Sequence, residues 1–156
     1  MTEAARDAAG RLFAETVATL RPLLPETTEI HHIGATAVPG CLTKGDLDIV
    51  VRVAPEDFTA ADQALALRYA RNTGSVRTRD FSAFETPDAE PPLGIQLAAK
   101  GGDHDFFHLF VARLRAEPDL VARYNALKRR FEGQPMEVYR EAKSDFIRAV
   151  LATGDA

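Results

Sequence analysis

Two aspartates one residue apart, Asp46 and Asp48, head the run DLDIVVRV and alternate there with Leu47 and Ile49. In an extended strand this alternation sends both carboxylates to one face and the aliphatic side chains to the other. Two carboxylates on one face repel each other, and a divalent cation relieves the repulsion. Mg²⁺ or Mn²⁺ is the ion that carboxylate oxygens and phosphates share most readily. Asp46 and Asp48 are therefore the candidate metal ligands and the candidate catalytic pair. In the competing assignment one aspartate caps a turn and the other pairs with Lys44 or an arginine.

Upstream, His32-Ile33-Gly34-Ala35-Thr36 carries a glycine turn out of a short β-prone stretch. Gly34 offers an unobstructed N–H, Ala35 follows it and Thr36 adds a hydroxyl, and backbone amides in such a turn can cradle a phosphate. The chain holds neither a GxxxxGK[ST] loop nor a dinucleotide-binding glycine fingerprint. Lys44, Arg77, Arg79, Lys128 and Lys143 are the cations that could converge on an anionic ligand. Each could equally lie on a solvated face or run its stem over apolar neighbours. His104 and His108 flank Asp105 and could seed a metal site, but no closed zinc spacing joins them to His31, His32 or Cys41, so packing and surface roles are preferred. Tyr124 and Tyr139, set among Leu127, Phe131 and Phe146, read as interhelical core rather than a base-stacking platform.

Positioning these groups falls to elements that the periodicity marks out. Leu12, Phe13, Val17, Leu20 and Leu24 form a helical stripe over 4–24, ended by Pro22 and Pro25. The strand at 46–53 is too apolar for an exposed edge and should be central, covered on both faces. A crossover helix is expected over 55–70, with strands around 75–85 and 94–100 separated by the proline-rich TPDAEPP. From there the period is helical, over about 104–116, 118–132 and 136–152, with Gly154 as the stop. The whole chain, 1–156, is one α/β (α+β) domain: a small mixed sheet with flanking helices and a helical C-terminal tail.

Composition narrows the partners. The 23 acidic against 19 basic residues give a net charge of −4, so no global field holds a nucleic-acid backbone or an anionic membrane. A local basic cleft remains open. Cys41 is the single cysteine, which excludes an internal disulfide, and the N-terminal segment lacks the pattern of a secretory leader, so cytoplasm is the expected location.

HHIGATAVPGCLTKGDLDIVVRV resembles the signature of the GrpB-like family, and FHLFVARLRAEPDLVARYNALKRRF with VYREAKSDFI resembles that family's helical tail. The resemblance runs over roughly 28–152 and implies a nucleotidyltransferase-like fold. It carries Gly34 and Thr36 over as a phosphate-facing turn, Pro39 and Gly40 as a loop corner, Lys44 as a loop cation and Asp48 as the strand carboxylate. Three departures stand out. Ala35 replaces the usual serine after the glycine. Asp46 stands where an apolar residue is common in the family, restoring the DxD of working nucleotidyltransferases. Gln96 lies in the region of the superfamily's third carboxylate, where a neutral amide can bond a ligand but is a poor Mg²⁺ ligand and no general base at pH 7.

The function this implies is binding of a nucleoside triphosphate or phosphorylated small molecule with Mg²⁺ or Mn²⁺, with nucleotidyl transfer as its enzymatic form. The other class is a non-catalytic structural or regulatory module for a protein partner, which Ala35 and the missing carboxylate favour. The two part on whether Asp46 and Asp48 line an open cleft and whether another carboxylate, such as Glu85, reaches them.

Overall fold

A computed structural model describes residues 3–153; Gly154, expected to stop the last helix, lies outside the described residues. Five strands, β1 (Glu29–Ile33), β2 (Leu47–Val53), β3 (Ala70–Arg71), β4 (Phe81–Thr86) and β5 (Leu93–Ala99), form one mixed sheet in the order β1-β2-β5-β4-β3. β2 runs antiparallel to β1 and parallel to β5, while β4 pairs antiparallel with β5 and β3. The run Ile49-Val50-Val51 is fully buried because helices cover both faces of the sheet.

α1 (Glu3–Leu20) and α2 (Phe58–Ala66) cover one face, where Leu47, Ile49, Val51 and Val53 of β2 pack with Leu20, Phe58 and Leu65. α3 (Phe107–Ala116), α4 (Pro118–Arg130) and α5 (Met136–Ala152) cover the other, where Val50 and Ala98 meet Phe110, Leu114, Tyr124, Ile147 and Val150. Each fully buried aliphatic or aromatic side chain stabilises the fold by about 1.5–3 kcal/mol. Alternation along β2 therefore places Asp48, Val50 and Arg52 beneath the three C-terminal helices. Among the described residues no helix is long and apolar enough to cross a membrane.

Several boundaries differ from the sequence expectation for local reasons. The first helix ends at Leu20, and Pro22 sits in a single 3₁₀ turn, Arg21–Leu23. Pro55–Asp57 likewise forms a 3₁₀ turn ahead of α2, which stops at Ala66. Residues 75–80 turn rather than extend, so β4 begins only at Phe81; Thr78 and Asp80 bond each other there in place of a ladder. α3 begins at Phe107, which leaves His104 in the preceding turn and separates it from His108 on the helix. The two-residue β3 is too short to carry a periodic signal in the sequence.

Candidate functional site

The glycine turn leaves β1 directly opposite the aspartates, since Ile33 pairs with Asp48 in the antiparallel register. Gly34 has φ +72° and ψ −176°, a conformation open essentially to glycine alone. A Cβ on Gly34 would stand 2.9 Å from Asp48 Oδ2, and one on Gly94 of β5 would stand 2.6 Å from Asp48 Oδ1. The Asp48 carboxylate thus occupies a slot that exists because two residues, one on each side, lack side chains. Gly94 is opposite Asp48 in the parallel β2–β5 register, a relation invisible until the strands are paired.

No hydrogen bond or ion pair within 4 Å engages the Asp48 carboxylate among the described residues. Burial pushes its pKa above the usual carboxylate value; Lys143 pulls it back and Asp46 adds to the rise. Asp46 itself is exposed. Its backbone carbonyl accepts a hydrogen bond from the Thr36 hydroxyl at 3.0 Å, and Thr36 Oγ1 lies 2.9 Å from His32 Nε2. Since the hydroxyl proton goes to Asp46, His32 must donate from Nε2. Thr36 is buried and pins the turn to the start of β2, rather than presenting its hydroxyl to a ligand. Burial, with Arg115 and Arg6 nearby, holds His32 down at about 4.

Charged clamps hold the same loop from two helices. Arg6 of α1 donates to the Thr36 and Val38 carbonyls, and Arg115 of α3 donates to that of Ala37. From α4, Asn125 spans Leu42 N and Gly40 O, while Lys128 Nζ donates to the Leu42 carbonyl and lies 4.3 Å from the centre of the Tyr124 ring.

The aspartates open into a cleft of about 740 Å³ between the 34–46 loop and the facing ends of α4 and α5. Gly34, Ala35, Lys44, Asp46 and Asp48 line one wall, and Lys128, Arg129, Tyr139 and Lys143 line the other. That volume falls within the range of about 300–1,000 Å³ usual for small-molecule sites. Three of the five proposed cations, Lys44, Lys128 and Lys143, line the cleft that holds the carboxylates, and Arg129 lines it too, unforeseen. Arg77 and Arg79 do not. Arg77 is directed to Asp62 of α2 at 3.7 Å, Arg79 is exposed, and neither lines the cleft.

Tyr124 is core, as its contacts with Phe110 and Phe146 require, but it also forms a wall of this cleft with Tyr139. Burial raises Tyr124 to about 12, so it stays protonated. Gln96 lies one alternation beyond Gly94 on the same face, and Glu85 stands on β4, a strand further away, lining no part of the cleft. The donor set fits one Mg²⁺ held by two carboxylates, with ligand phosphates and water completing the shell. It does not fit a three-carboxylate, two-metal arrangement. Among the described residues no group of three or more His, Cys, Asp or Glu side chains is arranged to hold a metal.

A family model described as "GrpB protein" matches residues 5–153. A UPF0157 protein of Vibrio cholerae is 38% identical over 130 residues, 83% of this chain and 68% of its own. A UPF0157 protein of Streptomyces coelicolor is 35% identical over 132 residues, 82% of this chain and 69% of its own. Among solved structures, conserved protein GrpB from Enterococcus faecalis superposes with a TM-score of 0.69 at 19% identity, covering 92% of this chain and 90% of that one. The Cid1 poly(U) polymerase in its MgGTP-bound crystal superposes with a TM-score of 0.55 at 12% identity, covering 81% of this chain and 41% of that one. The fold is accordingly a nucleotidyltransferase-like mixed sheet with flanking helices.

Proposed function

The chain belongs to the GrpB protein family, and on that premise we propose that it binds a nucleoside triphosphate, or a closely related phosphorylated small molecule, with one divalent cation in the Asp46/Asp48 cleft. The observation that carries the reading is Asp48: a half-buried carboxylate with no protein partner among the described residues, in a slot cut by Gly34 and Gly94, open to a cleft that Lys128 and Lys143 also line. Leaving such a group unpaired costs stability, and proteins keep that cost where a ligand supplies the missing charge. Likeness in fold to a polymerase whose crystal holds MgGTP supports the choice of ligand class.

Within this reading Asp46 and Asp48 would hold Mg²⁺ or Mn²⁺, and the ion would supply charge neutralisation to the phosphates. Lys128, Arg129 and Lys143 would orient the polyphosphate from the facing wall and Lys44 from the wall of the aspartates, and the Gly34-Ala35 turn brings backbone close to it. Binding rather than rapid transfer is the proposed activity. A third carboxylate has no place at Gly94, where even a Cβ meets Asp48, and residue 96 is an amide. Free, buried Cys41 accords with a cytoplasmic setting.

The test is calorimetric titration of each nucleoside triphosphate into wild type and Asp48→Asn, with Mg²⁺, with Mn²⁺ and with chelator, while pyrophosphate is assayed in the same mixtures. Metal-dependent binding, lost in the variant, with little or no pyrophosphate, is expected. Binding unchanged by both chelator and Asp48→Asn would sink the proposal. No binding by any triphosphate would turn the reading to a partner-binding module.

A further inference from the structure

Phosphate and metal leave one part of the cleft lining unused. Tyr124 and Lys143 mark the end nearest the aspartates, since Tyr124 feels the Asp48 charge and Lys143 acts on the Asp48 carboxyl. From there a stripe on each helix leads away: Lys128 and then Phe131, which closes α4, and in the opposite chain direction Tyr139 and then Met136, which opens α5. Two helical turns carry both stripes about 10 Å from the carboxylates. At that distance the lining changes character, with Leu42, Phe131 and Met136 apolar, Gln134 a neutral amide and Glu132 an acid. Met136 is 55% exposed, and Leu42 and Phe131 are partly so. One exposed apolar side chain needs no explanation, but three lining the same opening of a charged cleft mark a contact surface. Arg130 lies 5.6 Å from the centre of the Phe131 ring and lines no part of the cleft, so it braces the ring from outside. Leu42 is held by its backbone, which donates to Asn125 and accepts from Lys128.

We propose that this mouth is a nucleobase subsite: the base lies on the Phe131 ring and the Met136 thioether, against Leu42, with the Gln134 amide at its polar edge. The ligand of the cleft is then a nucleoside triphosphate, not a sugar phosphate or an inorganic polyphosphate. The inference rests on the proposed function for where the phosphates lie. An aromatic face stacks on any base, and methionine sulfur makes favourable contacts with aromatic rings. Glu132 repels phosphate, which fixes the direction, base at the mouth and phosphates toward Lys128 and Lys143. The Gln134 side chain both donates and accepts, so it serves any base edge. The subsite therefore detects that a base is present and discriminates little among bases.

MgATP and magnesium tripolyphosphate are titrated by calorimetry into the full chain, as wild type, Phe131→Ala and Met136→Ala, and adenosine is titrated in chelator and followed by NMR. Tripolyphosphate carries no less charge than ATP, so charge alone gives MgATP no advantage. Expected is MgATP binding about tenfold tighter than tripolyphosphate, a preference lost in Phe131→Ala and reduced in Met136→Ala while tripolyphosphate affinity stays unchanged. Adenosine should shift the Gln134 side-chain amide and the Met136 methyl. The wild-type comparison needs no variant to fold, and truncating the exposed Met136 removes no core contact. Tripolyphosphate binding as tightly as MgATP, or equal weakening of both by the variants, overturns the base subsite and leaves the metal and phosphate reading standing. Adenosine shifts at these residues without metal-dependent binding of MgATP or tripolyphosphate would reject that reading alone. No binding by any of the three would reject both.

Discussion

Replacing Asp48 with asparagine in metal-free protein is expected to stabilise the fold while removing the proposed ligand site. Asparagine keeps the shape of the side chain, so it enters the slot between Gly34 and Gly94 without a new contact at Cβ. What it removes is a charge that burial disfavours first, that Lys143 partly compensates, and that Asp46 disfavours further. One pKa unit corresponds to about 1.4 kcal/mol, and relieving an uncompensated functional group commonly returns about 1–2 kcal/mol. For a chain of this length that is a rise in Tm of about 2–8 °C. The sign with pH follows from the raised pKa. Above the usual 3.8 the folded state holds on to the proton more than the unfolded chain does, so wild-type stability falls as pH climbs through the elevated value. The gain from asparagine is therefore full above the elevated value and fades as the pH drops toward 3.8 and below. Denaturant melts of both proteins in chelator, across pH, make the measurement. A variant no more stable than wild type at pH 7 would mean that Asp48 already has a stabilising partner. A gain that persisted at low pH would mean that charge is not its origin.

Gly94→Ala is expected to cost about 1–3 kcal/mol by forcing a Cβ against Asp48, and the same substitution in an Asp48→Ala background should cost at least about 1 kcal/mol less. Strict additivity in that double-mutant cycle would show the glycine to be needed for some other reason. His32, held down at about 4 from an ordinary 6.5, charges in the unfolded chain before it charges in the folded one. Stability should therefore fall as pH drops from 6.5 toward 4, by at most about 3 kcal/mol from this residue. His32→Gln, which can still donate to Thr36, should remove that contribution, leaving the one of the same sign from His108 and the opposing one from Asp48. An unchanged slope would count against a neutral His32.

The sheet and its helices were legible because burial writes a period into the chain. β2 announced itself as central through an unbroken aliphatic run, and α5 through Phe146, Ile147, Val150 and Leu151 on one face. Asp46 lies one residue ahead of β2, so strand alternation speaks for Asp48 alone, although both residues line the cleft. Arg77 and Arg79 were misplaced because alternating cations imitate a strand's solvent face, whereas the Thr78–Asp80 bonds and the pull of Asp62 make a turn there. Thr36 looked like a ligand hydroxyl because residue type does not reveal which carbonyl lies within reach; the one it bonds is that of Asp46. Gly94 and Arg129 had no signal. One acquires meaning through strand register and the other through the packing of α4 across the loop.

The glycine pair also bears on why the third carboxylate is missing. In the parallel register the residue opposite Asp48 is 94, and the next on that face is 96. A carboxylate at 94 would need a Cβ where Asp48 Oδ1 already sits, and a carboxylate at 96 would bring a second charge beside a group that burial disfavours when ionised. Neutral Gln96 avoids that repulsion, and its amide nitrogen stands on the Asp48 side. Gln96→Glu is thus the substitution that separates a lost activity from a fold that never accommodated it. If the cleft is a transferase site short of one group, Gln96→Glu should lose stability at pH 7, recover part of it with Mg²⁺ and a triphosphate, and begin to release pyrophosphate. Loss of stability without recovery on adding both would mean that the Asp48 slot is built for two carboxylates and no more.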